Sequence, residues 1–184
     1  MSIKNLNCKV VKVSNIKLVT SFIKKFSDMI YEPFIFINVK DIVIENSDSH
    51  TLVNKEIHNI IMFMKDNGML RNITFLSEKD ESSRSHVYSQ LVALLGVEGW
   101  NLRVTSGVKN FSNAVKNRIL NSKELTSTYD CWLIYIDTDP TRCIEINRLF
   151  HSLDFMYRTV FYHKPYDWHG YLMSYIMEDQ YEIC

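Results

Sequence analysis

The chain has 184 residues, 46% hydrophobic and 12% aromatic, enough for one globular domain with a single core and too apolar for intrinsic disorder. Lys+Arg and Asp+Glu both number 21, so the net charge of zero argues neither for a nucleic acid nor for a membrane surface. No apolar run approaches the ~18–20 residues of a membrane span, and the opening M-S-I-K-N lacks the apolar stretch of a secretory signal. Cys8, Cys131, Cys143 and Cys184 lie far apart with no C-x-x-C spacing. Reduced structural thiols are therefore expected, in a cytoplasmic or organellar-matrix compartment. The wealth of Asn, Ile, Lys and Tyr suggests an AT-rich genome, viral or organellar, which composition alone does not decide.

In chain order, residues 8–13 alternate enough for a short strand. Ser14 or Asn15 then caps a helix with Leu18, Phe22, Ile23, Phe26 and Ile30 on one face, ended by Pro33. Residues 34–38 (F-I-F-I-N) predict a second strand, and residues 41–45 (D-I-V-I-E) continue extended, as a hairpin or flap does. After a polar turn at 46–49, a helix is predicted over 51–66, with Leu52, Ile57, Ile60, Ile61 and Met64 inward and Asn67-Gly68 as its stop. Residues 72–76 form a third strand ending at Ser77, followed by a charged loop at 78–85 and a helix over 86–95 stopped by Gly96. A strand over 100–104 and a helix over 108–120 come next, the latter with Phe111, Val115 and Ile119 on one face.

Residues 131–136 (C-W-L-I-Y-I) are an unbroken apolar run between Asp130 and the pair Asp137 and Asp139, as expected of a strand buried on both faces. A helix over 141–153, a last strand over 157–162 and a closing helix over 168–177 complete the chain. Strands alternating with helices predict an α/β three-layer sandwich with a mostly parallel, Rossmann-like sheet. One domain is expected, with 1–32 as an N-terminal extension, 33–163 as the core and 164–184 as an aromatic C-terminal helix.

In open α/β sheets ligands bind at the carboxyl ends of strands, which directs attention to Asp137 and Asp139. Asp-Thr-Asp-Pro is also good turn and helix-cap chemistry, with Pro140 at the first helical position. The junction Val104-Thr105-Ser106-Gly107-Val108-Lys109 offers backbone N–H groups to an anion, or ordinary capping. Between residues 99 and 123 five basic residues (Arg103, Lys109, Lys116, Arg118, Lys123) face no acidic one. This segment is a solvated basic face or a contact for RNA, a nucleotide or an acidic partner. The six histidines share no ligand spacing. The aromatic C-terminus, from Tyr162 to Tyr181, is core packing or a partner surface.

The order of elements and the strand-end residues between 33 and 163 resemble the haloacid dehalogenase-like (HAD) phosphohydrolase superfamily. There the first core strand ends in D-x-D-G and is followed by a flap and a helix. The second strand ends in Ser or Thr, and a Lys precedes a fourth strand whose acidic end holds Mg²⁺. F-I-F-I-N-V-K-D-I-V-I-E resembles the first strand and flap, N-I-T-F-L-S the second strand, and L-I-Y-I-D-T-D-P-T the fourth. The resemblance implies Ser77 as a phosphate-binding residue, Lys116 or Lys123 as the lysine, and Asp137 and Asp139 as metal ligands. Ser106 and Lys109 join the candidate phosphate-binding residues through the basic loop.

The first motif departs from that pattern. Asn38 stands at the nucleophile, Lys40 at the acid/base and Asp41 at the glycine. An amide is a poor nucleophile and a poor Mg²⁺ ligand beside a carboxylate. Lys40, pointing inward, would mimic the ion or bind a phosphate directly. A register shift would make Asp41 the nucleophile, but from within the flap. The expected function is therefore that of a degenerate HAD-like domain, a pseudoenzyme binding a protein, RNA or phosphate-containing partner. The alternative is a Mg²⁺-dependent phosphatase or nucleotidase with Asp137, Asp139, Asn38, Lys40 and Asp41 at its centre.

Overall fold

A computed structural model describes residues 10–13, 20–21, 23–25, 32–45, 51–53, 55–96, 102–122, 125, 131–153, 157–163 and 181–183. Among the described residues seven strands form one sheet: β1 (Val10–Val13), β2 (Glu32–Asn38), β5 (Ile73–Leu76), β6 (Arg103–Thr105), β7 (Cys131–Asp137), β8 (Tyr157–His163) and β9 (Tyr181–Ile183). Their spatial order is β6-β5-β2-β7-β8-β1-β9. All pairings are parallel except that of β9 with β1 at one edge. The remaining two strands, β3 (Val43–Glu45) and β4 (Thr51–Val53), form a separate antiparallel hairpin directly after β2.

The central strands β2 and β7 run almost continuously apolar because both faces are covered. β7 is buried at every position and β2 at every position after Glu32. On one face Ile35, Ile37, Ile73, Phe75, Ile134 and Ile136 pack against α2 (Lys55–Asp66) and α3 (Arg84–Leu95). On the other, Phe34, Phe36, Leu133 and Tyr135 meet α4 (Phe111–Leu120) and α5 (Pro140–Ser152). The two clusters sandwich the sheet in an α/β three-layer architecture of Rossmann-like type. Alternate residues of a strand point to opposite faces, so β7 divides Trp132, Ile134 and Ile136 from Leu133 and Tyr135.

Local signals explain most boundaries. Asp139 caps α5, its Oδ1 accepting from the N–H of Thr141 (2.8 Å) and Arg142 (3.2 Å), with Pro140 at the first position. Asn110 caps α4 by accepting from the N–H of Asn113 at 2.8 Å. Gly96 ends α3 at φ +56°, a left-handed conformation that costs glycine nothing. At the other end of α5, Arg158 Nη1 donates to the carbonyls of Phe150 (2.5 Å) and Leu153.

Several expectations need correction. Residues 51–53 are the second arm of the hairpin and not the start of a helix. Pairing with Val43–Glu45 wins over helix propensity there. Residues 39–42 form a helical turn, α1 (Val39–Ile42), so Asp41 and Ile42, expected to be extended, are helical. β2 begins at Glu32, two residues before the expected start, so Pro33 lies within it, where its missing N–H costs little near the strand start. α3 begins at Arg84, after a 3₁₀ turn at Glu81–Ser83, so part of the expected loop is helical. α4 begins at Phe111, because Asn110 caps it, and not at 108. The strand expected over 8–13 is present as β1, which lies between β8 and β9 in the sheet. Residues 181–183 of the expected C-terminal helical segment are a strand, since the edge of β1 offers a partner. The closing helix over 168–177 lies outside the described residues, as do the turn at 46–49 and Cys8, Cys184 and Lys123. Cys131 and Cys143 are buried thiols. Among the described residues no helix is long and apolar enough to cross a membrane.

Candidate functional site

Parallel pairing sets the tips of β6, β5, β2 and β7 side by side at one edge. Asn38 lies opposite Leu76, Leu76 opposite Thr105, and Ile37 opposite Ile136. The residues that end or follow these strands, Asn38, Ser77, Ser106 and Asp137, are all buried. They lie at the carboxyl edge of the sheet, where an α/β fold places its ligands.

Asp137 is the electrostatic centre. It is fully buried, and an isolated carboxylate there would be costly. Arg142, one turn into α5, meets it in a fork: Nε donates to Oδ2 at 2.8 Å and Nη2 to Oδ1 at 3.0 Å. The Tyr135 hydroxyl adds a bond to Oδ2 at 2.5 Å, and the Asp139 N–H one to Oδ1 at 2.9 Å. Arg142 Nη1 continues to Glu78 Oε1 at 2.7 Å, while the guanidinium carbon lies 4.6 Å from the Phe111 ring centre. Burial opposes the charge on Arg142, but its bonds to Asp137 outweigh that and hold it protonated. Burial and the charge of Asp137 both keep the Tyr135 hydroxyl and the Cys143 thiol protonated.

Asp41 sits in α1, only 6% exposed, and accepts at Oδ1 from the Thr138 hydroxyl at 2.8 Å. Burial, reinforced by the Asp137 charge, pushes its carboxyl up to about 7. Asn38 accepts at Oδ1 from the Lys40 N–H at 3.1 Å, which fixes the amide's orientation. Its Nδ2, a donor, has no hydrogen-bond partner among the described residues. Ser106 Oγ is likewise without one.

The edge therefore gathers Asn38, Asp41, Ser77, Ser106, Asp137 and Asp139, but not every residue the sequence suggested. Lys40 does not turn inward: it is exposed and its ammonium pairs with Glu78. That contact, ahead of the partial burial that opposes it, holds the Glu78 carboxyl below its ordinary range. Two backbone donors of the proposed anion loop are engaged within the protein, Gly107 N–H with the Lys79 carbonyl (2.6 Å) and Val108 N–H with the Ser77 carbonyl (2.9 Å). Ser77 Oγ accepts from the Lys79 N–H at 3.2 Å. Lys109 and Lys116 are exposed, and no hydrogen bond or ion pair ties either to this edge among the described residues. A separate open cleft of about 440 Å³, lined by Glu81, Arg84, Ser85, Tyr88, Leu102 and Val104, contains none of these strand-tip residues.

Two residues of the site escaped sequence reasoning, Arg142 and Glu78. Arg142 was findable: it is the third residue of a helix capped by Asp139, so its side chain points back over the preceding turn toward the strand end. Glu78 carries no comparable signal beyond following Ser77. Comparisons with protein-family models, curated proteins and solved structures return no match.

Proposed function

We propose that this chain is a catalytically degenerate HAD-like domain that works as a binding or assembly subunit, for a protein, RNA or phosphate-containing partner. The observation that carries the reading is the amide of Asn38, fully buried at the tip of β2 beside an Asp137 already clasped by Arg142. At the place where covalent phosphoryl transfer calls for a carboxylate, the chain presents a neutral group that cannot form an acyl phosphate. The helical turn and hairpin after β2, the Ser that follows β5 and the acidic end of β7 support the resemblance in its proper order.

A phosphatase assay with a generic phosphomonoester and Mg²⁺ tests this directly. No turnover is expected. Turnover abolished by Asp137→Asn and Asp139→Asn overturns it. Charge reversal at Lys109 and Lys116 should weaken capture of RNA by the basic segment; unchanged capture makes that face merely solvated.

One observation favours the alternative, a metal-dependent phosphatase. Asp41 is a buried carboxyl near neutrality, held by Thr138 and within reach of the Asp137 charge, as a general acid/base would be. If that reading is correct, Asp41→Asn abolishes turnover in the same assay.

A further inference from the structure

A divalent cation bound at the strand tips needs several anionic oxygens with lone pairs directed at one point. Each carboxylate oxygen here has two lone pairs to give, about four per group. Asp137 has spent all of them: Arg142 Nη2 (3.0 Å) and Asp139 N–H (2.9 Å) on Oδ1, Arg142 Nε (2.8 Å) and the Tyr135 hydroxyl (2.5 Å) on Oδ2. Glu78 is held at Oε1 by Arg142 Nη1 and at Oε2 by Lys40. Asp139 gives Oδ1 to the α5 cap, and its Oδ2 lies 3.6 Å from Arg142 Nε. Asn38 turns its oxygen to the Lys40 N–H and leaves the NH₂, a donor that repels a cation. Asp41 gives Oδ1 to the Thr138 hydroxyl at 2.8 Å. The residues present do not fit Mg²⁺ as they stand.

We propose that the guanidinium of Arg142 is a resident cation, filling at Asp137 the role that a divalent metal would otherwise take, so that this crevice is built to work without metal. The fork on Asp137, the third bond to Glu78 and the Phe111 ring beneath fix the guanidinium in place, with the Arg142 side chain 20% exposed. One planar cation thereby bridges the tip of β7 and the segment after β5. Arginine suits this because its fork satisfies a carboxylate in two places and its charge is permanent. Lysine would supply charge at one point only.

The charge balance at Asp137 stands on the geometry alone, whereas the comparison with a metal rests on the proposed functional reading. Its test is metal titration of the full chain, read by melting temperature and by the spectrum of free against bound Mn²⁺. Wild-type protein is expected to bind no Mn²⁺ and to melt at the same temperature in millimolar Mg²⁺ as without it. Arg142→Ala is expected to melt roughly 6–20 °C lower, because Asp137 is left buried without its counter-charge. Mg²⁺ or Mn²⁺ should then recover part of that loss, and the recovery should vanish in the double variant Arg142→Ala/Asp137→Asn. Arg142→Gln, a gentler removal of the charge, should show the same rescue, whereas Arg142→Lys should remain indifferent to metal. Wild-type binding of Mn²⁺ that is lost in Asp137→Asn overturns the proposal. So do folded Arg142→Ala and Arg142→Gln proteins that ignore metal. Metal binding without phosphatase turnover sinks this inference alone, whereas metal-free turnover sinks only the functional reading.

Discussion

The tips of β2 and β7 are neighbours in the sheet and carry similar short polar sequences, Asn-Val-Lys-Asp and Asp-Thr-Asp-Pro, yet they solve the same electrostatic problem differently. At β7 the carboxylate stays, fully buried, and a cation from the following helix neutralises it. At β2 the strand ends in a neutral amide, and burial lifts the nearby carboxyl of Asp41, which accepts from the Thr138 hydroxyl, toward its neutral form. The lysine available at that tip turns to solvent and to Glu78. A buried position tolerates charge only when the counter-charge is rigidly supplied, and a helix first turn supplies it better than a flexible exposed lysine.

The largest effect that would break this comparison is removal of Arg142. Arg142→Ala should cost about 3–5 kcal/mol in denaturant unfolding, because Asp137 loses its partner. A loss below 1 kcal/mol, on the scale of an exposed ion pair, would mean that the β7 tip is not organised around this pair.

The β2 tip is probed by pH. The Asp41 carboxyl titrates at about 7 in the folded chain against 3.8 in the open one, so the folded state holds its proton more tightly. Its contribution to stability is therefore present below pH 4 and is lost as pH rises through 7. Asp41→Asn keeps the acceptor for Thr138 but cannot ionise. It should exceed the wild type in stability by up to roughly 4 kcal/mol at pH 8, with the gap closing on acidification toward pH 4. A pH-independent difference would place the Asp41 carboxyl in a more polar setting than its burial implies.

Smaller effects sharpen the contrast. Tyr135→Phe removes a buried donor from Asp137 and should cost about 1–2 kcal/mol, measured by thermal or chemical melting. Lys40→Ala breaks an exposed pair, with side chains 66% and 35% accessible, and should change stability by less than about 0.5 kcal/mol. Equal costs for the two would erase the distinction between the tips.

Much of the architecture was legible because buried parallel strands read as unbroken apolar runs. β2, β5 and β7 stand within two residues of their expected bounds, and Asp139 caps its helix as its spacing implies. The hairpin arm at Thr51–Val53 was not legible, because its three residues alone carry no period and only pairing with Val43–Glu45 defines them. β9 was hidden for the same reason, being an edge strand specified by its neighbour β1. At the site, Asn38 and Lys40 at the tip of β2 were visible, and so was the acidic end of β7. The direction of each side chain was not. Lys40 and Arg142 are both cations close to a strand tip, and only the three-dimensional path of α1 and α5 determines which of them reaches Asp137.

The central claim is that Arg142, and not a metal, balances Asp137. A crystal structure of the full chain grown with MnCl₂, with anomalous difference maps collected for manganese, tests it most directly. The account predicts the guanidinium fork closed on Asp137 and no anomalous peak between Asn38 and Asp137. A manganese peak within coordination distance of Asp137, with Arg142 swung away, would contradict it.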